Sequence, residues 1–155
     1  MSEPDIRPFA ELDLEAVHRL FHEYADSLSV DLAFQSFDDE VAALPGRYAP
    51  PTGALLVAWV DGAPIGCVAL RAIDDEKCEL KRLFVRPAHR GGGVGLRLLE
   101  SAVAEARRLG YRRLRLDTIP EMGRAQELYE RFGFRDIAAY TRNPVAGARF
   151  LELEI

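Results

Sequence analysis

The chain is poor in cysteine, in histidine and in long apolar runs, and each shortage closes off a class of protein. Two cysteines in 155 residues, Cys67 and Cys78, cannot build a disulfide framework, and neither stands in a C-x-x-C pair. They read as buried, reduced thiols of a cytoplasmic protein. No apolar run approaches the length that crosses a bilayer. The opening stretch Met1-Ser2-Glu3-Pro4-Asp5 lacks the basic region and apolar core of a secretory signal, so no membrane partner is expected. The three histidines do not form a metal set: His18 and His22 share an i, i+4 spacing, but neither they nor His89 find a third ligand in the pattern. No metal is expected. Positive charge is also in deficit. With 20 Lys and Arg against 25 Asp and Glu the net charge is −5, which argues against a nucleic-acid partner and suits a cationic amine. Repeats, low-complexity tracts and linkers are absent. The length and a hydrophobic content of 48% suit one domain over residues 1–155.

Glycine, in contrast, is concentrated. Gly91, Gly92, Gly93 and Gly95 lie between an apolar run at 80–85 that reads as a strand and a segment in which Val94, Leu98, Leu99, Ala102, Val103 and Ala106 recur at helical spacing. Glycine lets the backbone approach a ligand closely. The helix start offers unpaired N–H groups and a positive dipole end, which together make an anion site, most often for phosphate. Arg90 adds a planar cation. One phosphate-loop pattern fails and a second fits only in part. A nucleoside-triphosphate loop needs Lys and then Ser or Thr after its last glycine, where this chain has Leu96-Arg97. A dinucleotide fingerprint begun at Gly93-x-Gly95 needs a third glycine where Leu98 stands, although Asp117 sits near the place of a ribose-binding acid.

The remaining pattern gives strands at 6–9, 55–60, 65–71, 78–85, 114–117, 137–141 and 149–154. Asp61-Gly62 marks a hairpin turn, and Asp74-Asp75-Glu76 a second turn. Leu14, Val17, Phe21, Tyr24 and Leu28 mark one helix face. A shorter helix is read over 34–44, stopped by Leu44-Pro45-Gly46, and Gly110 closes the helix after the glycine loop. Ala125, Leu128, Tyr129 and Phe132 share a last helix face. The order β-α-α-β-β-β-α-β-α-β-β describes a mixed α/β (α+β) domain.

Arg90-x-x-Gly93-x-Gly95 resembles motif A, [QR]-x-x-G-x-[GA], of the GCN5-related N-acetyltransferase (GNAT) superfamily. Val85-Arg86-Pro87 before it and Ala125-Gln126-Glu127-Leu128-Tyr129-Glu130-Arg131-Phe132-Gly133-Phe134 after it match the family's flanking signatures, so the resemblance is sharp over residues 77–134. It implies a central, mostly antiparallel mixed sheet that splays at a cleft for acetyl-CoA, used as cosubstrate. It also implies that Gly91, Gly92, Gly93, Val94 and Gly95, with Arg90, hold the diphosphate. The strand residues Leu83, Phe84 and Val85 would pair with the pantetheine arm through a bulge, Leu83 N–H facing the acetyl carbonyl.

Under the same resemblance Tyr129 protonates the departing thiolate, although its spacing with Leu128 and Phe132 equally fits a core position. Glu79, eleven residues before Arg90, takes the place of a general base, where a solvent-facing strand glutamate is the alternative. Met122 stands where many members carry an asparagine that contacts the cofactor arm. The implied activity is acetyl transfer to a primary amine, in a small molecule or a peptide, by direct attack in a ternary complex. A non-catalytic acyl-CoA sensor, or transfer of another acyl group or to another acceptor, stays open, as does a homodimer.

Overall fold

The computed structural model describes residues 3–155; Met1 and Ser2, part of the stretch read for a signal, lie outside the described residues. Strands β2 (Ala54–Val60), β3 (Ala63–Ala72) and β4 (Lys77–Val85) run as an antiparallel meander, and β1 (Asp5–Pro8) pairs with the outer side of β2. β5 (Arg113–Thr118) lies parallel to β4. β7 (Arg149–Glu154) is antiparallel to β5, and β6 (Arg135–Asp136) completes the order β1-β2-β3-β4-β5-β7-β6. A single parallel pair in an otherwise antiparallel sheet matches the mixed sheet that the resemblance implies, and the element order matches that read from the sequence.

Strand alternation divides the core. Leu55, Val57 and Trp59 pack with α1 (Leu14–Asp26) and α2 (Phe37–Ala42), around Val17, Leu20, Phe21 and Phe37. Ala54, Leu56 and Ala58 pack on the other face with α3 (Val94–Arg108) and α4 (Gly123–Phe132), around Leu98, Leu99, Ala102 and Tyr129. Both faces of the sheet are covered by helices, so a charged residue on its central strands is buried whichever way it points. Among the described residues no helix is long and apolar enough to cross a membrane.

Two readings of the sequence need correction. The helix read over 34–44 is a 3-10 turn (Leu32–Gln35) followed by α2, separated by Ser36 in left-handed backbone at φ 55°. Asp31 caps the turn by accepting from Ala33 N–H at 2.9 Å, and the break lets the Gln35 amide meet the sheet while Phe37 enters the core. The strand read over 137–141 is also absent. The ladder stops at Asp136, Ile137 N–H donates once more to Phe150 O at 2.8 Å, and the chain then leaves the sheet. Side-chain bonds hold the departing segment: Tyr140 Oη donates to Glu79 at 2.6 Å, and Asn143 Nδ2 to Asp117 at 3.0 Å.

Two backbone features open the middle of the sheet. β4 and β5 are paired over only three positions, Lys77 with Arg113, Cys78 with Leu114 and Glu79 with Arg115, and they separate from Leu80 onward. On its other side β4 carries a bulge: Ala69 faces Lys81 and Cys67 faces Phe84, so β4 fits one residue more than β3 between those pairs, and Arg82 sits at φ 60°. Gly66 permits the close approach, because a Cβ there would stand 2.6 Å from the Phe84 carbonyl oxygen.

Candidate active site

The separation of β4 from β5 opens a cleft of about 620 Å³. One wall is the free edge of β4, with Leu83, Phe84 and Val85; Arg90, Gly91, Gly93, Val94 and Gly95 line the cleft too, as does Tyr129 of α4. The cleft also reaches the other side of the sheet, to Leu28, Val30 and Gln35 between α1 and α2. Of the expected cofactor residues, Gly92 alone does not line it.

The glycine loop is built as its sequence requires. Gly91 and Gly93 take φ of 87° and 85°, conformations that L side chains adopt only under strain. No side chain caps the start of α3 at Gly93. No atom stands within 4 Å of where a Cβ would project from Gly91, Gly92 or Gly93, so the loop faces open space. Free N–H groups at the start of a fifteen-residue helix, in an open left-handed loop, fit a diphosphate. Arg90 is exposed beside it, but its Nε donates to the Val85 carbonyl at 2.8 Å and its guanidinium lies 5.7 Å from the Phe84 ring centre. This arginine therefore braces the end of β4 as well as adding positive charge to the loop.

Tyr129 is 6% exposed, and its ring packs 5.5 Å from that of Phe134, so the core reading of its spacing is correct for the ring. The hydroxyl has no hydrogen-bond partner among the described residues, and it borders the cleft. Burial, with Tyr24 and Asp117 nearby, pushes its pKa above the ordinary tyrosine value. The group is a neutral proton donor throughout the neutral range.

Glu79 is not brought to the cleft. It is 3% exposed. One carboxylate oxygen accepts from Arg71 Nε at 2.8 Å and the other from Tyr140 Oη at 2.6 Å. Burial alone would raise its pKa, but the positive charges of Lys81 and Arg71 and the bonds from Tyr140 and Arg71 outweigh it and hold the carboxyl below its usual range. A carboxylate so placed is a buried, hydrogen-bonded anion, and the solvent-facing alternative does not describe it.

The sequence reading missed the charged pairs on the α1/α2 side of the split. Arg82, its side chain 1% exposed, gives both Nε and Nη2 to Glu40 at 2.8 and 2.9 Å and Nη1 to Gln35 at 2.7 Å. Lys81 Nζ donates to the same Gln35 oxygen at 3.1 Å and stands 3.7 Å from Asp117 Oδ1. Lys81 and Asp117 both line the cleft. The available signal was charge inside strands whose other residues are apolar: Glu79, Lys81 and Arg82 in Cys78-Glu79-Leu80-Lys81-Arg82-Leu83, and Arg115 and Asp117 in Leu114-Arg115-Leu116-Asp117. In a sheet covered on both faces, such charges must find partners or a ligand.

Elsewhere, Met122 also lines the cleft, and its Sδ accepts from Thr118 Oγ1 at 3.6 Å. Ser29 donates through N–H and Oγ to Glu121 at 2.9–3.2 Å, joining the loop after α1 to the turn before α4. Among the described residues no three His, Cys, Asp or Glu side chains are grouped to hold a metal.

The model of the acetyltransferase (GNAT) family matches residues 14–134. The chain is 37% identical over 145 residues to an uncharacterized N-acetyltransferase of Schizosaccharomyces pombe, covering 92% of this chain and 89% of that protein. Its fold is similar to that of an acetyltransferase of Streptococcus agalactiae, with a TM-score of 0.82, 23% identity and all of both chains covered. It is similar also to the PaiA N-acetyltransferase of Thermoplasma acidophilum in complex with coenzyme A, with a TM-score of 0.77, 18% identity and 99% and 100% of the two chains covered. The matched span takes in α1, the bulged strand, the glycine loop and the helix of Tyr129, and the chain belongs to the acetyltransferase (GNAT) family.

Proposed function

We propose that this protein is an acetyl-CoA-dependent N-acetyltransferase that moves the acetyl group to a primary amine by direct attack in a ternary complex. The observation that carries the reading is the split between β4 and β5, which opens a cleft lined both by an open glycine loop and by a tyrosine whose hydroxyl has no partner among the described residues. The coenzyme A complex of the Thermoplasma relative supports the choice of cosubstrate.

In this reading the main-chain N–H groups of 91–95 and the start of α3 bind the diphosphate. The free edge of β4 pairs with the pantetheine arm as an added strand does. The bulge turns the main chain at Arg82 and Leu83, and Leu83 N–H donates to the thioester oxygen as negative charge develops there. The amine nitrogen attacks the thioester carbon. A C–N bond forms, the C–S bond breaks, and Tyr129 gives its phenolic proton to the leaving thiolate. The acceptor's ammonium gives one proton to water in the cleft before attack, and the second nitrogen proton, released as the amide forms, returns through water to the Tyr129 phenolate. Neither cysteine acts as a nucleophile: Cys67 and Cys78 are fully buried, and burial pushes each pKa up to about 12.

The test is calorimetric titration with acetyl-CoA, followed by release of free CoA thiol with a broad panel of amines. Because the protein's own thiols are buried and protonated, a thiol reagent reads the product. Micromolar binding and amine-dependent release are expected. No association at millimolar acetyl-CoA refutes the reading.

A further inference from the structure

We infer that the acceptor carries a carboxylate a few bonds from its reacting amine, an amino-acid-like molecule whose carboxylate is held by the ammonium of Lys81. The inference rests on the acetyltransferase reading and narrows it to a substrate class.

Lys81 is 6% exposed and sits in β4 directly before the bulge. Its side chain meets Gln35, which places it on the α1/α2 side of the sheet, away from α3 and the glycine loop. An ammonium has three donors. Gln35 Oε1 takes one at 3.1 Å, while Asp117 Oδ1 at 3.7 Å is near enough for attraction but too far for a hydrogen bond. Among the described residues no other acceptor reaches Nζ, although it borders the cleft. A buried ammonium that is incompletely bonded is costly, and burial pulls the Lys81 pKa down. A carboxylate entering the cleft would complete the set with charge-assisted bonds.

The neighbouring cation cannot take this part. All three nitrogens of Arg82 are committed to Glu40 and Gln35. Asp117 supplies the opposite sign beside Lys81. Its Oδ2 accepts from Asn143 and its Oδ1 faces Nζ, so an acceptor that brings both an ammonium and a carboxylate matches the pair in sign.

The experiment compares matched acceptors, each amino acid against its decarboxylated amine and its carboxamide, in the wild type and in Lys81→Met and Lys81→Gln. The readout is the ratio of kcat/KM for the acid to that for its neutral counterpart, taken within one enzyme so that the folded fraction cancels. The wild type is expected to prefer the carboxylate by about ten- to a hundredfold, as befits hydrogen bonds to a charged group. Both variants should bring the ratio near one, mainly through KM for the acids, whatever the change in overall rate. A wild type that acetylates decarboxylated amines as well as their parents overturns the carboxylate inference and leaves acetyl transfer standing. A ratio that survives in both variants overturns the role of Lys81. Failure to acetylate any amine, with acetyl-CoA bound, overturns acetyl transfer and this inference together.

Discussion

Replacing Tyr129 with phenylalanine separates chemistry from packing more cleanly than any other single change in the cleft. The variant keeps the ring, which is 6% exposed and packed 5.5 Å from Phe134, and removes only an oxygen that has no hydrogen-bond partner among the described residues. No bond is lost and no cavity larger than one atom is made. Stability should therefore change by no more than about 0.5 kcal/mol, or about 2 °C in Tm for a chain of this size. Acetyl-CoA binding by calorimetry should also be nearly unchanged, because the ligand is held elsewhere, by the loop at 91–95 and the β4 edge. The loss belongs in kcat. A positioned acid contributes substantially to the departure of a basic thiolate, so kcat should fall about tenfold or more, equivalent to about 1.4 kcal/mol of barrier for each factor of ten.

The leaving group gives an independent check. A thioester of a much less basic thiol needs little protonation, so the wild-type and Phe enzymes should converge with an aryl thioester donor. Burial raises the Tyr129 pKa, so the acid stays protonated at neutral and moderately alkaline pH, and its loss sets an alkaline limb only above the ordinary tyrosine value of about 10. An unchanged kcat in the Phe variant, or an equal loss with basic and non-basic leaving groups, refutes the acid role.

Gly93→Ala should cost about 1–2 kcal/mol of stability from backbone strain alone, since φ is 85° and no atom crowds the new Cβ, and should weaken acetyl-CoA binding by calorimetry; Gly92→Ala, with neither positive φ nor a place in the cleft wall, should do little to either. Glu40→Leu leaves the buried Arg82 charge uncompensated and should cost about 3–5 kcal/mol, or roughly 6–20 °C in Tm by calorimetry. Combining it with Arg82→Met should recover most of that loss. Glu79, with its pKa depressed, stabilises the fold above the unfolded carboxylate value of about 4.3, a contribution that fades as pH falls through the lower folded value. Glu79→Gln should therefore lower Tm at neutral pH and flatten its fall on acid titration, while the acidic limb of the pH–rate profile stays in place; loss of that limb would restore Glu79 as the base.

The sequence carries the frame of the site and conceals its polar half. Periodicity from Val94 to Ala106, the glycine run and the turns at Asp61-Gly62 and Asp74–Glu76 are local signals, each set by residues near in the chain, and the structure follows them. The bulge at Arg82 has no such signal. An arginine at positive φ is held there by Glu40 and Gln35, more than forty residues away. The same distance hides the fate of Glu79, whose partners Arg71 and Tyr140 come from β3 and from the segment after β6. Residues 137–141 read as a strand because their pattern is apolar and β-prone. Tyr140 and Asn143 instead direct their polar groups to Glu79 and Asp117, and those bonds draw the chain off the sheet. Local pattern predicts an element well where its own residues decide it, and poorly where a buried charge on another strand outweighs the ladder.

The same charges explain how the cleft stays open. Beyond Glu79, β4 has a free edge on its β5 side, and an apolar strand edge beside a second strand tends to pair. Two features oppose closure. The extra residue at Arg82 throws the β4 repeat out of step with a straight partner, and the buried bonds from Arg82 to Glu40 and Gln35 tie the bulge to α2 and the turn before it. On the other side β5 is occupied by β7 along its whole length, six paired positions from Arg113 to Thr118. β7 holds only the far edge of β5, which pairs with β4 and β7 together at 113–115, so the split is set by the anchored bulge on β4. The unpaired edge of β4 is the surface on which an extended ligand can form the hydrogen bonds that β5 does not. Since the anchor is ionic and buried, loosening it should narrow or disorder the cleft before it unfolds the protein. Arg82→Met with Glu40→Leu, restored in stability, should remain impaired in acetyl-CoA binding, and full recovery of binding in that pair would show that the bulge holds without its anchor.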